Sequence, residues 1–156
     1  MLQQYLIENR EAHYRMAFSY TKNKEDALDV VQDSIEKALR AYKRKDKPNH
    51  LKSWYYRILI NTAIDCTRRN KRIVLMEQEK MAYFLEKEDQ YMNFDLKTAM
   101  EKLPNAYKTI IVLRYFEDLK ISDIAEILNE NVNTIKTRLY KGLKILKIEL
   151  KEDYNE

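Results

Sequence analysis

Residues 121–150 read ISDIAEILNENVNTIKTRLYKGLKILKIEL, and this stretch decides the fold. Ile121, Ile124, Ala125, Ile127 and Leu128 recur at helical spacing and then stop at Asn129. Asparagine tolerates the left-handed backbone that a tight helix exit requires. Two residues on, Asn131 is placed to cap a second helix with its side-chain oxygen. Two helices joined by about three residues form a helix-turn-helix, whose second helix enters the major groove N-terminal end first.

At about 100° per residue, Ile135, Leu139, Leu143, Leu146 and Leu150 fall within one stripe of about 80°, a core face. Lys136, Tyr140, Lys144, Lys147 and Lys151 gather on a second face. Asn133, Thr134, Lys136, Thr137, Arg138 and Lys141 lead the helix, and these residue types hydrogen-bond base edges and phosphates. On an isolated amphipathic helix such a face is more often simply solvated. The helix and turn in front of it favour DNA.

The rest of the chain is in keeping with an all-α fold. Its 156 residues include one glycine and two prolines, too few for hairpin turns or a phosphate loop. Residues 1–75 carry 16 Lys/Arg against 9 Asp/Glu, and residues 76–100 carry 3 against 6. The final 56 residues balance at 10 of each, so positive charge concentrates in the first half and locally in the last helix. The reading is two small helical domains, 1–72 and 93–156, joined by a flexible linker, 73–92.

In the first domain, helices are expected over 3–20, 24–43 and about 53–71. Asn23 should cap the second, with Glu25 and Asp26 in its first turn. Ala27, Val30, Val31, Ser34, Ile35, Ala38, Leu39 and Tyr42 share its inner face, leaving Asp29, Gln32, Asp33 and Glu36 exposed. The third helix, SWYYRILINTAIDCTRRNK, mixes aromatic and basic residues and ends in Arg68, Arg69, Lys71 and Arg72. In the second domain a short helix ends before Pro104. Pro104 then opens another, over 104–116, burying Ile110, Ile111, Leu113 and either Tyr115 or Phe116.

Taken together, LPNAYKTIIVLRYFEDLKISDIAEILNENVNTIKTRLYKGLKIL resembles region 4 of the extracytoplasmic-function sigma factors of bacterial RNA polymerase. NKEDALDVVQDSIEKALRAY and KSWYYRILINTAIDCTRRNKR are similar to their regions 2.1–2.2 and 2.3–2.4, in that order. The resemblance implies recognition of the −35 promoter element by Asn133, Thr134, Lys136, Thr137, Arg138, Tyr140, Lys141 and Lys144. It implies recognition and melting of the −10 element by Trp54, Tyr56, Arg57, Asn61, Arg68, Arg69 and Arg72. Docking on core polymerase, at its β′ coiled coil and β flap, would involve Asp29, Gln32, Asp33 and Glu36. An anti-sigma factor, often membrane-anchored in this family, is the implied antagonist. Lys120 stands where the family often has a capping Ser or Thr, and Glu130 where it often has an apolar turn residue.

Each assignment has a plainer rival. Trp54 and Ile58 sit at core spacing, and exposed acids on a helix commonly only solvate it. Cys66 reads chiefly as a small packed side chain and only secondarily as a reactive thiol. His13 and His50 form no metal pattern, and there is no nucleophile elbow, Walker loop or dinucleotide fingerprint. No catalysis, metal or cofactor is expected. With one cysteine, no apolar leader and no membrane span, the expectation is a soluble cytoplasmic protein. Two rivals remain open: a polymerase-independent helix-turn-helix regulator, and a helical interaction module whose basic face only meets water.

Overall fold

The structure is a computed structural model. It describes the backbone of residues 1–43, 48–85 and 94–154, and the surroundings of side chains 1–43, 48–69 and 96–148. Eight α-helices, with no strand among the described residues, form two compact units, Met1–Ala82 and Tyr83–Glu156.

Unit 1 contains α1 (Leu2–Glu8), α2 (Arg10–Thr21), α3 (Lys24–Tyr42) and most of α4 (Leu51–Leu85). The single helix expected over 3–20 is broken at Asn9, whose side-chain amide donates to the Tyr5 carbonyl at 2.9 Å. Asparagine competes with the helical ladder in this way, which is why it favours helix ends. Lys22, left-handed at φ 62°, closes α2. Asn23 then caps α3 as expected: its Oδ1 accepts the Asp26 N–H at 2.8 Å.

α3 buries Ala27, Val30, Ser34 and Ala38. α4 buries Tyr55, Tyr56, Leu59, Ile60, Thr62 and Ala63. Cross-links join the helices: Lys37 Nζ donates to Thr62 Oγ1 at 3.1 Å, and Tyr42 meets Trp54 with ring centroids 6.3 Å apart. α4 also runs on through residues 73–85, so the first part of the expected linker continues the helix. Its remainder lies outside the described residues.

At the centre of unit 1 sits a cluster that the sequence pattern did not disclose. His13 is buried at 1% exposure, hydrogen-bonded through Nε2 to the Tyr5 hydroxyl at 3.1 Å. Its ring packs on Tyr55 and Tyr56 at centroid distances of 4.5 and 5.2 Å. Burial lowers the His13 pKa from 6.5 to about 4, because the cation loses its hydration. The same desolvation pushes the Tyr55 phenol well up, and its buried hydroxyl has no hydrogen-bond partner.

Unit 2 is built around α8 (Val132–Tyr154), against which α5 (Phe94–Lys102), α6 (Asn105–Ile111) and α7 (Ile121–Leu128) pack. Gly142 marks the closest crossing: a Cβ there would stand 3.0 Å from Tyr107 Cβ and 3.1 Å from Ile111 Cδ1. The lone glycine therefore lets α6 and α8 approach, which accounts for a residue with poor helix propensity inside a helix. Beyond Ile111 the chain widens into a π-type turn, Val112–Phe116. That turn corrects the expectation for its aromatics. Leu113 is buried, but Tyr115 and Phe116 are 53% and 62% exposed, because the wider turn carries them off the inward stripe.

Candidate nucleic-acid interface

The helix-turn-helix forms as its asparagines require. Asn129 is left-handed at φ 53°, ψ 48°, and its N–H reaches back to the Ala125 and Glu126 carbonyls. The Glu130 N–H donates to the Ala125 carbonyl at 3.0 Å, satisfying a group that the helix end would otherwise orphan. Asn131 Oδ1 accepts the Thr134 N–H at 2.9 Å and caps α8. Lys120, at the start of α7, makes no side-chain cap, and Asp123 supplies the acidic charge of the first turn.

Burial then sorts α8 by face. Ile135, Leu139 and Leu146 are buried against Ile124, Ala125 and Ile127 of α7 and the rest of the core. Asn133, Lys136, Thr137, Tyr140, Lys141 and Lys144 are exposed together, with Tyr140 at 68%. An exposed aromatic between lysines is a surface able to stack, bond and neutralise. Thr134 and Arg138 lie half-buried on the flank. Thr137 Oγ1 donates to the Asn133 carbonyl at 2.9 Å, and Arg138 Nη1 lies 3.5 Å from Glu130 Oε1. Lys151 lies outside the described side chains.

On α4, Arg57, Asn61, Asp65 and Arg68 are exposed on a stripe about 80° wide, with Arg69 exposed beside it. Trp54 begins that stripe half-buried, one edge against Tyr42 and the other toward solvent. Tyr56 departs from the reading that placed it among DNA-binding residues. At 0% exposure it is a core residue, and its ring packs on His13. It lies about 100° around the helix from Arg57, enough to turn it inward. Arg72 lies outside the described side chains.

On α3, Asp29, Gln32, Asp33 and Glu36 are all exposed at i, i+3, i+4 and i+7, one continuous stripe. Leu28, 50% exposed, borders it and escaped the reading of the sequence. The available signal was its position off the buried stripe of Ala27, Val30 and Ser34. Cys66, half-buried on α4, has its thiol pKa raised by burial and further by Asp26, an effect that Arg69 partly opposes. A thiol so held is a poor nucleophile.

Among the described residues, no group of three or more His, Cys, Asp or Glu side chains could hold a metal ion. None of their helices is long and apolar enough to cross a membrane.

Known proteins share both units. The family model for sigma-70 region 2 matches residues 6–73, and that for sigma-70 region 4 matches residues 93–146. The RNA polymerase sigma factor SigV of Bacillus subtilis (strain 168) is 51% identical over 150 residues, covering 95% of this chain and 90% of that protein. The ECF RNA polymerase sigma-E factor of Haemophilus influenzae is 31% identical over 140 residues, covering 80% and 74%. Among solved structures, the sigma factor RpoE of Bartonella quintana, crystallised with the anti-sigma factor NepR, aligns with a TM-score of 0.75. It is 27% identical, with 96% of each chain covered. Two family models in the expected order, together with a relative identical at half its positions over nearly the full length, place this chain in the extracytoplasmic-function group of the sigma-70 family, regulators of transcription initiation rather than catalysts.

Proposed function

We propose that the chain is an alternative sigma factor that binds core RNA polymerase in the cytoplasm and directs it to promoters through two DNA-facing helices. The observation that carries this reading is the exposed face of α8. Its capped N-terminus opens directly onto Asn133, Lys136, Thr137, Tyr140, Lys141 and Lys144, held by a buried apolar stripe. In this reading α8 recognises the −35 element. The lysines and Arg138 set register on phosphates, while Asn133, Thr134, Thr137 and Tyr140 meet base edges.

α4 engages the −10 element. Opening DNA requires a base to leave the stack and find an aromatic surface or a polar pocket. Trp54, with an open edge, and Asn61, one turn beyond Arg57, suit that task. Arg57, Arg68 and Arg69 hold the backbone, with Asp65 breaking the basic run between them. Tyr56 supports the helix from below rather than touching DNA. The acidic stripe of α3, with Leu28 at its border, docks on the β′ coiled coil, and unit 2 meets the β flap. An anti-sigma factor, anchored in the membrane in many such systems, would silence the protein by covering these faces. The complex of the similar RpoE with NepR supports that part of the reading.

Run-off transcription with purified core polymerase and a pool of promoter fragments tests the proposal. Transcripts are expected only when the protein is added, and Lys136→Ala or Lys141→Ala should lose selectivity for the upstream element. Folded protein that neither binds core polymerase nor directs transcription would refute it. DNA binding without any effect on polymerase would point instead to a plain regulator.

A further inference from the structure

The helix-turn-helix carries a carboxylate at its tip. Glu130 is the middle residue of the turn, and its backbone is fixed by its N–H bond to Ala125, by left-handed Asn129 before it and by the capping Asn131 after it. Its side chain therefore starts from a rigid point beside the helix end that enters the groove. A lone carboxylate there would face phosphates. It has a partner: Arg138 Nη1 stands 3.5 Å from Glu130 Oε1, with the side chains 36% and 39% exposed. Arg138 emerges from the flank of α8, about 100° from Thr137 at the middle of the exposed face. Helical side chains lean toward the N-terminus, so the guanidinium reaches back to the turn instead of outward with Lys136, Lys141 and Lys144.

An ion pair this exposed contributes little to stability. Its effect lies in the charge presented to DNA. We propose that Glu130 is a specificity-determining residue, which by engaging Arg138 withholds that guanidinium from phosphates and so weakens binding to arbitrary duplex while leaving the reading face of α8 intact. The inference rests on the DNA-reading role of α8 proposed above. Non-specific binding is governed by the number of phosphates neutralised, each adding about 0.9 to the slope of log affinity against log salt. A released arginine is well suited to add one, since its planar fork matches a phosphate in two hydrogen bonds.

The full-length chain is titrated by fluorescence anisotropy into two duplexes across a salt series. One is a promoter fragment that it transcribes with core polymerase, and the other is the same fragment with its upstream element scrambled. Glu130→Gln should bind the scrambled duplex about 5–10-fold more tightly at low salt, with a slope steeper by about 0.9 and a smaller preference for the promoter. In an Arg138→Ala background, Glu130→Gln should leave the slope unchanged. An unaltered slope in the single variant overturns the proposal. So does a gain that survives in the Arg138→Ala background, because it would then come from removed repulsion alone. If the unmodified chain binds neither duplex in a salt-dependent way, the DNA-reading role of α8 fails first and takes this inference with it. Circular dichroism of each variant confirms matched folding.

Discussion

Acid should loosen unit 1 through one residue. His13 is buried in its neutral form, with a pKa lowered from 6.5 to about 4 by loss of hydration. As pH falls below 6.5, the unfolded chain takes up a proton on His13 that the folded chain refuses. More protons are then bound in the unfolded state, so stability falls with pH. The loss begins near the unfolded pKa, amounts to about 2 kcal/mol by about pH 5, and levels off at about 3 kcal/mol once the folded protein also protonates. Above about pH 7 the contribution is flat. That is a large share of what a small helical unit has in reserve. The assay has a built-in reporter, because Trp54 is the single tryptophan and lies in unit 1. Its fluorescence follows urea unfolding of that unit separately from unit 2, which matters because two units need not unfold together. His13→Phe keeps a ring between Tyr55 and Tyr56 but removes the proton site and the bond to Tyr5. It should cost about 1 kcal/mol near neutrality and flatten the pH dependence between about pH 5 and 7. If the unmodified protein loses no stability over that window, or if His13→Phe keeps the same slope, the buried neutral imidazole is not the cause.

Three further outcomes follow from the geometry of unit 2. Gly142→Ala gains helix propensity but drives a methyl against Tyr107 Cβ, so a net loss of about 1–2 kcal/mol is expected in thermal melts, and a gain would contradict the close crossing. Asn129→Ala should destabilise unit 2 by about 1 kcal/mol while Asn129→Gly is neutral or better, since only the left-handed backbone separates the two variants in chemical denaturation. Lys136→Ala should reduce duplex affinity with a salt slope shallower by about 0.9, which fluorescence anisotropy measures directly, whereas loss of affinity at constant slope would indicate a contact to a base instead of a phosphate.

What the sequence disclosed was local chemistry. Asn23, Asn129 and Asn131 act within three residues of themselves, and the structure finds each doing what its side chain and backbone preference dictate. The stripes of α3 and α8 were equally legible, because a helix converts spacing into faces without help from the rest of the chain. Properties that depend on distant partners were not. Tyr56 belongs to an aromatic–basic run that suggests DNA contact, yet its direction is set by His13, which lies 43 positions earlier in the sequence. Gly142 looked like a weak point in its helix until Tyr107 and Ile111 supplied the reason for it. Tyr115 and Phe116 follow an α-helical count that the π-type turn breaks, and no periodicity announces such a turn in advance. The extension of α4 past Arg72 was hidden for another reason: its residues alternate charge and apolar character without one clean face.

The π-type turn also makes residue number, rather than residue identity, the quantity that matters between Val112 and Phe116. Such a turn accommodates one residue more than an α-helix spanning the same rise. Removing any single residue there would let the segment relax to α-helical winding, and everything after it would re-enter the unit rotated by about 100°. The Leu119 N–H, which now meets the Leu113 carbonyl at 3.0 Å, would lose its partner, and α7 would present a different face to α8. Exchanging one side chain for another at Tyr115 or Phe116 leaves this winding alone, because both point outward. The segment works as a spacer of fixed count, tolerant of spelling and intolerant of deletion.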